Sequence, residues 1–184
     1  MSIDLITLTR DVAAIEIPAG IRRTLPAGTT VRISQFLGNA YTVVSDLGYL
    51  CRIDAKDADA VGLTPPSQEE QQAATGTFSD ELVWEQLRTV FDPEIPVNIV
   101  DLGLIYDCEI AEADGGKKID IKMSMTAPGC GMGNVIKADV ESKISRLPEV
   151  KQVNVEVVFE PPWGPARMSE AAKLQLGFDL DYGT

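Results

Sequence analysis

Hydrophobic and polar residues alternate through the first third of the chain and recur at helical spacing further on, so strands and helices are predicted in separate stretches. Across residues 29–36, Val31, Ile33 and Gln35 share one face while Arg32 and Ser34 share the other, the period of a half-buried strand. Tyr41-Thr42-Val43-Val44-Ser45 and Tyr49-Leu50-Cys51-Arg52-Ile53 flank Asp46-Leu47-Gly48, a spacing that predicts a compact hairpin. With further turns at Pro26-Ala27-Gly28 and Leu37-Gly38-Asn39, residues 1–62 read as a small β domain, and an SH3-like barrel is its expected form.

Residues 63–78 break this pattern with two prolines, a run of Gln and Glu and no apolar period, as a linker does. Beyond it, Ser79 is placed to N-cap a helix reaching about Phe91, with Asp80 and Glu81 in the first turn and Val83, Leu87, Val90 and Phe91 on one apolar face. Asp92-Pro93 ends it. Residues 104–111 and 118–125 alternate as strands around Ala113-Asp114-Gly115-Gly116, an antiparallel hairpin signal. Met132, Val135, Ile136, Val140, Ile144 and Leu147 then recur at helical spacing until Pro148, and residues 152–159 alternate as a third strand. Residues 79–184 are therefore expected to form an α+β domain in the order helix, strand, strand, helix, strand, with a mixed sheet. A short helix over residues 169–176 and an acidic, aromatic tail close it.

Charge narrows the function. The 184 residues hold 28 carboxylates against 16 Lys and Arg, a net charge of −12, which disfavours binding to nucleic acid or to an anionic membrane. No basic, apolar leader opens the chain and no run of about 18 apolar residues occurs, so a soluble cytoplasmic protein is expected. Three widely spaced cysteines read as reduced thiols. The absence of histidine excludes Ser-His and Cys-His nucleophile pairs and any histidine metal ligand within the chain.

Thiol, carboxylate, backbone or a borrowed group is left for any chemistry, and Cys130 is the thiol candidate. It lies in Thr126-Ala127-Pro128-Gly129-Cys130-Gly131-Met132-Gly133, where a strand gives way to a helix. A helix start favours thiolate over thiol, and Gly129 and Gly131 let a partner, metal or electrophile approach. The bland reading is a small buried residue in a tight turn. A phosphate-cradling loop lacks its Lys-Ser or Lys-Thr ending. Cys51 and Cys108 occupy alternating strand positions and read as core. Asp92 and Asp101 are either oxygen ligands or acceptors for backbone N–H groups in a proline-rich turn, and Glu94 faces water or a partner. Trp163, among prolines, either anchors a partner or caps its own core, and Arg167 would stabilise a thiolate lying beside it.

Three blocks, residues 92–106, 126–133 and 161–169, resemble in order the iron-sulfur cluster assembly domain shared by SufT-type proteins, PaaD-type proteins and the eukaryotic cytosolic targeting factors. The extra N-terminal domain and the Gly131-Met132-Gly133 ending point to the SufT-type branch. The resemblance implies a non-catalytic factor for cluster assembly, carriage or delivery, with iron-sulfur assembly proteins and apoprotein clients as partners. It puts the family's cysteine at Cys130, its acidic block at Asp92, Glu94 and Asp101, and its tryptophan block at Pro162, Trp163 and Met168. On that footing Cys130, with Asp92 and Asp101, is the candidate for holding iron or a cluster, and Glu94, Gly129, Gly131, Trp163, Arg167 and Met168 are candidate partner contacts. A cluster takes about four thiolate-type ligands and this loop offers one, so two Cys130 thiolates across a homodimer would supply half and carboxylates, glutathione or a client's cysteines the rest, making the site transient and shared. The competing reading is a thiol-dependent enzyme with Cys130 as nucleophile, but histidine base, CxxC partner and visible oxyanion device are all missing.

Overall fold

The computed structural model describes residues 5–65, 77–127 and 131–178. The chain divides into two units, Met1–Gln72 and Ala73–Thr184.

In the first unit, alternation yields six strands: β1 (Leu5–Thr7), β2 (Val12–Glu16), β3 (Arg22–Leu25), β4 (Thr30–Leu37), β5 (Ala40–Ser45) and β6 (Leu50–Asp54). They form one sheet in the order β1-β4-β5-β6-β2-β3, with every pairing antiparallel. The β5–β6 hairpin turns where Asp46-Leu47-Gly48 predicts it, with Gly48 at φ 82°. In register, Ile33, Val43 and Cys51 face one way, and Val31, Val43, Cys51 and Ile53 are buried in the core. A 3-10 turn over Ala55–Val61 adds Ala58, Ala60 and Val61 to that core. Arg10 braces the turn through Asp57 at 2.8 Å and Asp59 at 2.7 Å. The sheet differs from the expected barrel: β1 pairs only with β4 and β3 only with β2, so among the described residues the ladder closes no ring.

The second unit opens with α1 (Asp80–Arg88), N-capped by Ser79, whose hydroxyl accepts from the Leu82 N–H at 3.3 Å. The helix stops short of Phe91 because Phe91 leaves it to bridge Asn98. A three-stranded mixed sheet follows, β7 (Ile105–Ala113), β8 (Gly116–Met123) and β9 (Val150–Val157), in the order β7-β8-β9. β7 and β8 are antiparallel across the Asp114-Gly115 turn, with Gly115 at φ 80°, whereas β8 and β9 run parallel across the crossover helix α2 (Gly133–Ile144). Ile119, Ile121, Met123 and Val155 of the sheet are buried, as are Leu87 of α1 and Ile136, Val140 and Ile144 of α2. Each such side chain contributes about 1.5–3 kcal/mol by leaving water. The last element, α3 (Glu170–Gln175), is N-capped by Ser169. No helix among the described residues is long and apolar enough to cross a membrane.

This topology has one consequence for function. Ile105, Met123 and Val157 stand in line across the sheet, so the start of β7 and the ends of β8 and β9 share one edge.

Candidate functional site

Three chain segments leave that edge: the one preceding β7, the one between β8 and α2, and the one following β9. They correspond to the three blocks singled out in the sequence. Parallel strands gather loops at their C-terminal ends, the place where open α/β sheets put ligands.

The first segment is shaped by its own carboxylates. Asp92 is buried, and its Oδ1 accepts from the N–H groups of Glu94 at 2.8 Å and Ile95 at 2.9 Å. Burial pushes the Asp92 carboxyl up from its ordinary value, against the pull of those N–H groups and of Thr126. Asn98 accepts from the N–H groups of Val100 and Asp101, and its amide donates to Asp101 Oδ2 at 2.6 Å. Both candidate oxygen ligands thus already accept hydrogen bonds from their own segment. Glu94 is exposed.

The second segment is anchored on both sides of its centre. The Ser124 N–H donates to Leu104 O at 2.8 Å, and the Thr126 hydroxyl reaches Asp92 Oδ2 at 3.4 Å. Met125 and Met132 are buried, while Ala127 and Gly131 are exposed. Gly129 and Cys130 lie outside the described residues, and so does Pro128. Among the described residues, no side chain caps the start of α2.

The third segment folds back over the first. The Trp163 indole N–H donates to Leu102 O at 2.7 Å, the Tyr106 hydroxyl to Pro161 O at 2.8 Å, and the Ser169 N–H to Asp101 O at 2.8 Å. Gly103, at φ 69°, makes the approach feasible, since a Cβ there would lie 2.1 Å from Arg167 O. Arg167 lays its guanidinium 3.9 Å from the centroid of the Tyr106 ring and donates from Nε to Gly103 O at 3.3 Å. Met168, read from the sequence as a partner contact, is only 6% exposed and packs inside.

The two described cysteines are poor thiolates. Cys51 is buried and its thiol is pushed up by burial, and Cys108, half-buried on the outer strand β7, is pushed up to about 11, chiefly by burial and further by Asp107 and Asp80. Among the described residues, no three Cys, Asp or Glu side chains converge on a common point that could hold a metal. Two joining residues escape reasoning from the sequence, Thr126 and Tyr106, because their partners are 34 and 55 positions away. Their membership of the quoted blocks is the one signal for them.

A family model described as "Iron-sulfur cluster assembly protein" matches residues 80–157. The chain is 45% identical over 100 residues to the Fe-S protein maturation auxiliary factor of Porphyromonas gingivalis, an alignment covering 54% of this chain and 92% of the relative. It is 41% identical over 97 residues to the auxiliary factor YitW of Bacillus subtilis, covering 53% of this chain and 92% of YitW. With the auxiliary factor SufT of Staphylococcus aureus it shares 38% identity over 88 residues, 48% of this chain and 97% of SufT. Nearly the whole length of each relative is matched within about half of this one, and the chain therefore belongs to the iron-sulfur cluster assembly protein family.

Proposed function

We propose that the protein is a non-catalytic maturation factor for iron-sulfur proteins, working in the cytoplasm and handling a cluster as cargo through the thiolate of Cys130. One observation carries the reading: the segment bearing Cys130 leaves the sheet at the edge where the two other segments are bonded together. The names of the relatives, maturation auxiliary factors, support the cargo.

The chain contributes a fixed frame and one soft ligand. Buried Met125 and Met132 hold the two ends of the loop, and exposed Ala127 and Gly131 border its centre. Thiolate is a soft ligand suited to iron, and a cluster needs about four such ligands, so the remainder come from a second copy or from client cysteines. Delivery is then ligand exchange, in which a client thiolate displaces Cys130. Asp92 and Asp101 shape the frame, their oxygens already accepting from their own segment. Glu94, Gly131, Trp163 and Arg167 line the approach of assembly proteins and apoprotein clients, Gly129 gives room beside the sulfur, and Met168 supports the surface from beneath. The six-stranded unit serves as a separate interaction platform.

The test is client maturation in cells carrying Cys130→Ala or Cys108→Ala in place of the natural chain. Activity of an iron-sulfur client enzyme is expected to fall severalfold with Cys130→Ala and to hold with Cys108→Ala. Undiminished client activity with Cys130→Ala overturns the reading.

A further inference from the structure

Arg167 is held by its fold and keeps donors that the fold does not use. Its guanidinium lies on the Tyr106 ring, its Nε is occupied by Gly103 O, and Tyr106 is itself pinned through its hydroxyl to Pro161 O. The 3-10 turn Pro165–Arg167 sets the backbone, and the bare Cα of Gly103 admits it. Yet Arg167 is exposed and makes no ion pair with a described residue. Other cations of this unit differ: Lys122 pairs with Asp107 at 3.6 Å, Lys118 with Asp120 at 2.8 Å and Lys137 with Glu141 at 3.7 Å. An oriented guanidinium, unpaired among the described residues, thus stands on a chain in which carboxylates far outnumber bases.

With one face on an aromatic ring and Nε engaged, the two Nη groups remain as a planar fork, the geometry that takes a carboxylate through two parallel hydrogen bonds. The surroundings are stiff and largely apolar: Pro161 and Pro162 are exposed, Phe159, just upstream, is 48% exposed, and the one carboxylate among them is the exposed Glu160. Arg and Tyr bordered by apolar surface is the composition of an interface hot spot.

We infer that Arg167 on Tyr106 is a docking point for an acidic segment of a partner protein. The partner's carboxylate meets the two Nη groups, and an apolar side chain next to it lies on Pro161 and Phe159. Charge complementarity argues for this occupant, since an acidic partner is repelled by most of this chain and attracted here, so that one cation sets its register. The inference deepens the maturation reading by naming the chemistry of the partner, and it rests on that reading only for the partner's role; the contact itself does not involve Cys130.

The test uses the full chain, labelled with 15N, and a capped pentapeptide carrying one aspartate between two leucines, with its asparagine counterpart as control. The Arg167 Nε–Hε resonance is expected to shift saturably with the aspartate peptide and at least about fivefold less with the asparagine peptide. Arg167→Gln is expected to abolish peptide-induced shifts at Tyr106, and Arg167→Lys, which keeps the charge but not the fork, to reduce them. Equal shifts with both peptides, or none up to about 10 mM, well above the ~1 mM of a weak contact, overturn the inference. Cys130→Ala is expected to leave the shifts intact. Should Cys130→Ala mature clients normally while the aspartate peptide still moves Arg167, the cargo reading falls and the docking point stands.

Discussion

The two sheets of this protein are built from the same alternating pattern and put it to different use. In the six-stranded sheet every neighbour is antiparallel, so its connections are divided between the two ends, and the long reach of Arg10, 47 and 49 positions to Asp57 and Asp59, only braces a turn. In the three-stranded sheet a single parallel pair, β8 and β9, brings two connections to one edge, and the antiparallel β7 brings a third. Groups 34 to 64 positions apart in the chain then bond to one another. Direction of pairing, more than strand count, decides where chemistry can be assembled.

The strongest way to break this contrast is at the glycine on which the convergence depends. Gly103→Ala adds a Cβ at 2.1 Å from Arg167 O in a left-handed residue, and a loss of about 3 kcal/mol is expected, seen as lost amide protection in β8 but not in β5. Gly48→Ala, in the first sheet, also has a positive φ but open space around it, so about 1 kcal/mol is expected there. Equal losses at the two sites would remove the distinction between a local turn and a junction. Next in size is Trp163→Phe, which leaves Leu102 O without its indole donor; urea unfolding is expected to register about 1–2 kcal/mol, and an unchanged midpoint would mean that the third segment is not tied down by that bond.

The smallest effect is a pH dependence of opposite sign in the two units. Arg10 holds the Asp59 carboxyl below its ordinary value, so its contribution is present above the unfolded pKa and is lost as pH falls through the native one. Asp92 is raised, so the native state binds its proton more tightly than the unfolded chain does. Its stabilisation is complete below the unfolded value of about 3.9 and is lost as pH rises through the higher native value. Asp92→Asn keeps an oxygen for the Glu94 and Ile95 N–H groups and has no charge to desolvate. Its unfolding midpoint is expected to gain on that of the natural chain between about pH 3.5 and about pH 7, and a constant difference would show that Asp92 is not the group being titrated.

Much of the architecture could be read from local signals. Ser79 caps α1, Gly115 turns the β7–β8 hairpin, and the apolar spacing of Ile136, Val140 and Ile144 sets the buried face of α2. Pairing between distant segments could not. Strand β9 occupies Val150–Val157 rather than residues 152–159, because Glu149, at φ 62°, starts the ladder earlier and Phe159 leaves it for solvent. Cys108 shows the pattern of a core residue but is only half-buried, because β7 is an edge strand, a fact that alternation does not encode. At the site, sequence picks out the segments and not their joints. Trp163 and Leu102 are 61 positions apart, and no local rule links them.

Every methionine after the first lies buried in the second unit: Met123, Met125, Met132 and Met168. Met123 ends β8, Met125 and Met132 bracket the loop, and Met168 adjoins the residue that bonds Asp101. Below them the sheet is lined by branched residues, Ile119, Ile121 and Val155. Branched side chains are stiff, whereas an unbranched thioether re-packs at little cost in shape. The second unit is therefore graded in compliance, stiff-sided along the strands and lined with adaptable thioethers at the edge where its three segments meet, so a partner of the kind proposed would find a contour that can adjust without loosening the sheet that carries it.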